Sequence, residues 1–189
     1  MVGRLRVVAG EAGGLHLVAP DHARPTTDRV REALFSALGP TPVQGAVVLD
    51  LFAGSGALAI EALSRGATRA VLVDHDRDAE AACERNLATT GFADRARVER
   101  TTVERFVRQR PVESPFDLVL CDPPYDLAEE EVAAVLRALH DPAWLTEDAL
   151  VVVERPSPTW AVPEGWATTW ERRYGDTLVT IVHATDVAT

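Results

Sequence analysis

The chain contains no lysine: all 19 basic residues are arginine. Against 29 acidic residues they leave a net charge of −10, which argues against a protein that coats nucleic acid by bulk electrostatics, because phosphate contacts need Lys or Arg. Cysteine is scarce too. Cys83 and Cys121 are the only two, each inside an apolar periodic segment, so the pattern reads as buried free thiols and no disulfide or metal is expected. No apolar run approaches the roughly eighteen residues of a membrane span. The short patch Val7 to Gly10, in an arginine-containing start, does not make a signal peptide. A soluble, cytoplasmic protein is expected, without membrane attachment. Internal repeats and low-complexity segments are missing as well.

What is present is 189 residues with 47% hydrophobic content, enough for one well-buried domain with a short appendage. The charge is uneven. Met1 to Arg31 carries five arginines (Arg4, Arg6, Arg24, Arg29, Arg31) against Glu11, Asp21 and Asp28, a local +2, while the remainder carries −12. Arg4 to His16 is Gly-punctuated and half apolar, which reads as a hairpin turning at Gly13-Gly14. Thr26 or Thr27 can cap a helix with Val30, Leu34 and Leu38 on one face, stopped by Gly39-Pro40. From Ala46 onward strands are expected at 46–51, 69–74, 97–101, 116–121 and 149–154, and helices near 55–65, 77–90, 103–109 and 128–140. Near-continuous apolar strands between amphipathic helices predict a parallel sheet covered on both faces. The tail TTWERRYG then DTLVTIVHA reads as an antiparallel edge hairpin turning at Gly175-Asp176.

Chemistry concentrates where strands end. In VLDLFAGSGALAIEAL (Val48 to Leu63) a strand ends at Asp50, Gly54 and Gly56 permit a tight turn, and a helix starts at once. Its free N–H groups face whatever occupies the crevice. The glycines also fit the loose dinucleotide pattern G-x-G-x-x-A, a weak match alone. Asp50 discriminates: a carboxylate before the loop repels a pyrophosphate but suits an ammonium or sulfonium centre. Asp74, ending the next strand, can accept both ribose hydroxyls of an adenosine, or it or Asp76 can cap the following helix. His75 either lies against an adenine or is a solvated loop histidine. Thr101 and Thr102 end the third strand, where an adenine-contacting group is expected.

FDLVLCDPPYD (Phe116 to Asp126) is the most informative stretch. Its strand belongs beside the first, across the topological switch point, so Asp122 faces the crevice of Gly54. A plain turn is the alternative. Pro123 and Pro124 hold a rigid corner, leaving Asp122 Oδ and the Pro123 carbonyl as acceptors without competing amide donors. Two adjacent acceptors suit an exocyclic NH₂, and Tyr125 offers a flat face for a planar base. Such a corner aims an amine nitrogen at an electrophilic carbon.

DPPY after a strand, with G-x-G and an acidic strand end upstream, resembles the amino-methyltransferases that use S-adenosyl-L-methionine. RPTTDRVREALFSAL (Arg24 to Leu38) followed by VLDLFAGSGALAIEALSRGA is similar more closely to the RsmD family of bacterial 16S ribosomal RNA guanine-N2 methyltransferases, and the likeness spans nearly the whole chain. It implies a Rossmann-like class I methyltransferase fold: a mostly parallel seven-stranded sheet, helices on both faces, an antiparallel C-terminal edge hairpin and an N-terminal hairpin extension. The extension is taken as residues 1–24, a contact for RNA, and the methyltransferase domain as 25–189. The resemblance implies that Asp50, Phe52, Ala53, Gly54, Ser55 and Gly56 border the methionine half of the cofactor, that Asp74 and His75 meet the adenosine, and that Asp122, Pro123, Pro124 and Tyr125 hold the guanine. Thr102 departs from the acidic or amide residue common at its place, which leaves the Val103 amide to recognise adenine. Arg4, Arg6, Arg24, Arg29 and Arg31 are implied to meet RNA phosphates.

The expected reaction is direct in-line methyl transfer to guanine N2 of an unstacked base, with Asp122 stabilising the amine as it becomes cationic. Rivals are an amino-methyltransferase acting on DNA adenine or protein glutamine, and a non-catalytic nucleotide- or RNA-binding module. A body this acidic should hold naked RNA weakly, so the expected partner is 16S rRNA in the small ribosomal subunit or its assembly intermediate, met by a monomer. All of it requires the carboxylate-proline corner and the glycine bend to open on one cavity, with Tyr125 outside the core.

Overall fold

The alternation of apolar strands and amphipathic helices produces one seven-stranded sheet in the computed structural model of the chain, which describes residues 5–20, 27–109, 115–156 and 160–185. The strands are β1 (Val47–Leu51), β2 (Arg69–Asp74), β3 (Ala96–Arg100), β4 (Phe116–Cys121), β5 (Leu145–Pro156), β6 (Trp166–Tyr174) and β7 (Thr177–Ala184), in the spatial order β3-β2-β1-β4-β5-β7-β6. β1 to β5 are parallel, whereas β7 pairs antiparallel with both β5 and β6. Helices α1 (Asp28–Leu38), α2 (Ala57–Ser64), α3 (Arg77–Thr90), α4 (Val103–Val107) and α5 (Glu129–Leu139) cover it.

The strands read as unbroken apolar runs because both faces are buried. Val48, Ala70 and Leu72 pack toward α1, α2 and α3, while their neighbours Leu49, Val71 and Val73 pack toward α4 and α5 with Trp144 and Trp166. Period-two alternation puts Asp50, between Leu49 and Leu51, on the α2 side. Thr27 caps α1 by accepting from the Val30 amide, and Asp76 caps α3 by accepting from Asp78 and Ala79, so the expected helix starts are met by real acceptors for otherwise unpaired amides.

Two elements differ from expectation. β5 begins four residues early, because Leu145 pairs with Phe116 ahead of a register shift, and it runs on to Pro156 because β7 pairs with Arg155 and Pro156. Among the described residues the N-terminal hairpin pairs Arg6 with His16, and the Val7 amide donates to the Leu15 carbonyl and the Leu17 amide to the Leu5 carbonyl, each at 2.9 Å. Its bend is broader than Gly13-Gly14, because Gly10 to Ala12 dip onto α2. The Ala12 amide donates to Ser64 Oγ at 3.0 Å and the Val8 and Ala9 amides donate to Glu61 at 2.7 and 3.0 Å. A Cβ on Gly10 would stand 1.9 Å from the Ser64 carbonyl oxygen, so only glycine fits. Leu5, Val7, Ala12 and Leu17 join the same core as α1 and α2.

Candidate active site

At the carboxyl ends of β1, β2, β4 and β5, where open α/β sheets take their ligands, lies a cavity of about 480 Å³. The β1–β4 pairing places Leu51 opposite Cys121, and the Asp122 amide reaches the Leu51 carbonyl at 3.4 Å. The corner and the glycine bend are therefore neighbours. Phe52, Ala53, Gly54, Ser55, Asp74 and His75 line one side, with Asp122, Pro123, Pro124 and Tyr125 on the other. Tyr125 is 41% exposed, outside the core, and its hydroxyl is 2.6 Å from Thr177 Oγ1. Behind the corner the buried Arg155 donates to the carbonyls of Pro124 at 3.3 Å and Leu127 at 2.7 Å, which holds its shape.

The glycine bend is fastened from three sides. Asp74 Oδ2 accepts from the Gly54 amide at 2.9 Å, Cys83 Sγ donates to the Gly54 carbonyl at 3.3 Å, and Asn86 Nδ2 donates to the Ser55 carbonyl at 2.8 Å. Asn86 also exchanges hydrogen bonds with the Val18 backbone at 2.8 Å each way, so the N-terminal segment is tied to the same bend. Phe52 is the one non-glycine with positive φ among the described residues, at 63°. Such strain, on the order of 1–3 kcal/mol, is held at functional sites by the surrounding packing.

Four expected residues do not reach the cavity wall. Asp50 is 1% exposed and sits beneath the bend, its Oδ2 accepting from the Ala59 amide at 3.0 Å, because strand alternation turns it toward α2. Burial pushes its pKa well above the carboxylate range; the Ala59 hydrogen bond opposes this, and Asp122 and Asp74 add to it. Its Oδ1 has no hydrogen-bond partner. Gly56 lies behind the bend, against Leu72 and Cys83. Thr102 is committed to capping α4 by accepting from the Arg105 amide at 3.3 Å, and Val103 is buried under the sheet.

Among the arginines, Arg31 must be withdrawn from the RNA-facing set. It is fully buried, donating to the Arg6 carbonyl at 2.5 Å and to Asp28 Oδ1 at 2.7 Å, because its position on α1 faces the N-terminal hairpin. Arg29 is exposed, and Arg6 is exposed beside Asp28 at 3.0 Å. Arg4 and Arg24 lie outside the described residues.

Sequence reasoning missed Thr27, Val30, Ala57, Leu58, Glu154 and Thr177 on the cavity wall. A signal existed for Glu154: β5 runs ALVVVE, an apolar strand meeting an acid as β1, β2 and β4 do. For Thr27 and Val30 the helix pattern explained both residues without a ligand. Among the described residues no helix is long and apolar enough to cross a membrane, and no group of three or more His, Cys, Asp or Glu is arranged to hold a metal ion.

The family profile described as conserved hypothetical protein 95 matches residues 5–183. Ribosomal RNA small subunit methyltransferase D of Escherichia coli (strain K12) is 42% identical over 173 residues, covering 87% of this chain and 82% of that protein. The chain belongs to the RsmD family. The Haemophilus influenzae protein of the same name is 34% identical over 179 residues, 92% of this chain and 90% of its own. The solved structure of yhhF from Escherichia coli matches with a TM-score of 0.84 at 35% identity, covering 96% and 98% of the two chains. This RsmD member has the class I methyltransferase fold, with its mostly parallel sheet and antiparallel C-terminal strands.

Proposed function

We propose that this protein methylates the exocyclic N2 of a guanine in small-subunit ribosomal RNA, using S-adenosyl-L-methionine. One observation carries the reading: Asp122, Pro123 and Tyr125 share a cavity with the Phe52–Ser55 bend, so an amine held by the corner lies within reach of a group held by the bend. Names of relatives add the nucleic acid, since the Escherichia coli and Haemophilus influenzae proteins are called ribosomal RNA small subunit methyltransferases.

The residues present fit the cofactor. Asp50, Asp74 and Asp122 gather around one end of the sheet. Beyond the effect of burial, the charges of Asp122 and Asp74 push the Asp50 pKa further up, a crowding that a cationic ligand relieves. Asp50 Oδ1, buried without a partner, is an acceptor that an ammonium would satisfy. Asp74 and His75 stand where a ribose and adenine would meet the wall. When bound, S-adenosyl-L-methionine supplies an electrophilic methyl group on a sulfonium centre. The chain's own part is positioning: Asp122 and the Pro123 carbonyl accept from the amine, Tyr125 stacks on the ring, and the Asp122 carboxylate stabilises positive charge developing at the nitrogen.

The net charge of −10 favours a ribonucleoprotein particle over naked RNA as substrate, with exposed Arg6 and Arg29 as local phosphate contacts. Helix α1 carries Arg29 beside Val30, which lines the cavity. The test is Asp122→Ala with labelled cofactor and unmodified small subunits, naked rRNA or DNA. Methylation of the subunits should fall at least about a hundredfold while cofactor binding survives. Comparable turnover by the variant refutes the assignment, and transfer to DNA alone refutes the substrate.

A further inference from the structure

We propose that Glu154 is the residue that selects guanine, by accepting a hydrogen bond from the base's N1–H beside the amine held at Asp122. This rests on the guanine reading above and deepens it. β4 and β5 are parallel neighbours, and their last paired residues are Cys121 and Val153. The next residue on each chain, Asp122 and Glu154, is therefore its counterpart across an interstrand spacing of roughly 4.8 Å. Both line the cavity, although Glu154 is only 7% exposed. On the other flank β7 pairs Val179 with Glu154 and brings Thr177, bonded to Tyr125, onto the same wall. Glu154 thus lies between the carboxylate proposed to hold the amine and the ring proposed to carry the base. Its chain neighbour Arg155 is bonded to Pro124 and Leu127, which locks this end of β5 to the corner.

The chemistry follows from the base edges. Guanine presents its amine next to N1–H, two donors side by side. Adenine and cytosine present an amine next to an unprotonated ring nitrogen, which is an acceptor. Two adjacent protein acceptors match the first edge and confront a ring-nitrogen lone pair in the others. Sites that hydrogen-bond a substrate group reject analogues lacking it far more strongly than apolar pockets do.

The experiment compares small-subunit particles carrying guanine at the methylated position, located by mass spectrometry, with particles reconstituted with 2-aminopurine there. That base keeps the 2-amino group and lacks N1–H. The wild-type protein should prefer guanine by at least about tenfold in kcat/KM. Glu154→Gln, whose amide can donate to N1, should narrow that preference to under about threefold with unchanged cofactor titration. Equal use of the two bases by the wild type, or an unchanged preference in Glu154→Gln, overturns the role of Glu154 while methylated guanine still upholds the function. Absence of any guanine methylation by the wild type brings down both. Should Glu154→Gln fail to bind cofactor, Glu154→Ala takes its place, and a preference for guanine of about tenfold retained in that variant overturns the role of Glu154.

Discussion

Replacing Gly56 by alanine should damage the fold, while the same change at Gly54 should damage the site. Both glycines have positive φ, +73° and +55°, and an L-residue in that region costs on the order of 1–2 kcal/mol. Their surroundings differ. A Cβ on Gly56 would stand 2.8 Å from Leu72 Cδ2 and 3.2 Å from Cys83 Sγ, both on fully buried residues, so relief displaces other core atoms. Overpacking of that kind costs about 1–3 kcal/mol. With the strain, Gly56→Ala should lose about 2–5 kcal/mol, which for a domain of this size lowers Tm by roughly 4–20 °C. A Cβ on Gly54 meets nothing nearer than the Phe52 carbonyl oxygen at 4.0 Å, so the strain alone lowers Tm by roughly 2–8 °C. Its methyl adds to the cavity wall, and the Kd for S-adenosyl-L-methionine should rise at least about tenfold. Thermal unfolding by calorimetry and cofactor titration on both variants measure the two effects. A Gly56→Ala protein melting within about 2 °C of wild type, or a Gly54→Ala protein melting lower than Gly56→Ala, would refute the reasoning.

Arg31→Met removes the hydrogen bonds that the buried guanidinium makes to the Arg6 carbonyl and Asp28 and should cost about 1–3 kcal/mol by urea unfolding, whereas Arg29→Ala should leave stability within about 0.5 kcal/mol and reduce the salt dependence of particle binding. Asp50 titrates above its ordinary value of 3.8 because burial disfavours the charged form. The fold therefore takes up a proton that the unfolded chain has already released, and stability falls as pH rises from about 3.8 through the raised pKa. Asp50→Asn keeps the acceptor for Ala59, so its stability relative to wild type should improve as pH rises from about 4 to 8 and converge at the acid end; a constant difference in denaturation midpoints refutes this. Tyr125→Ala should lower kcat/KM by about 1–3 kcal/mol of stacking with Tm nearly unchanged, since the ring is 41% exposed, and Tyr125→Phe should retain most activity. An unaltered kcat/KM in Tyr125→Ala removes Tyr125 from the base site.

Strand and helix order was legible because the elements are locally self-consistent. RAVLVD (Arg69 to Asp74) and FDLVLC (Phe116 to Cys121) are short, mostly apolar runs, too brief for a core helix, and each meets an acid at its carboxyl end. Asp122 to Tyr125 and Phe52 to Ser55 could be assigned to one cavity because the sheet's switch point follows from parallel order alone. That Asp50 sits beneath the bend rather than on the cavity wall was not legible in the motif, since a carboxylate at a strand end looks alike whether it faces the crevice or the helix behind it. Arg31 and Arg29 are two residues apart on one helix, and only the hairpin packed on α1 makes one buried and the other exposed.

From composition, periodicity and motif, the amino-acid order alone determines a parallel sheet with an antiparallel edge, a glycine bend and a carboxylate-proline corner, because these are properties of neighbours along the chain, and the switch point of such a sheet sets the bend and the corner side by side. Tertiary structure decided which acids reach the cavity, that Glu154 stands beside Asp122, and that Asn86 ties the N-terminal segment to the bend. Those facts depend on the register of β4 with β5 and on the packing of α3 against segments distant in sequence, and no local pattern encodes either.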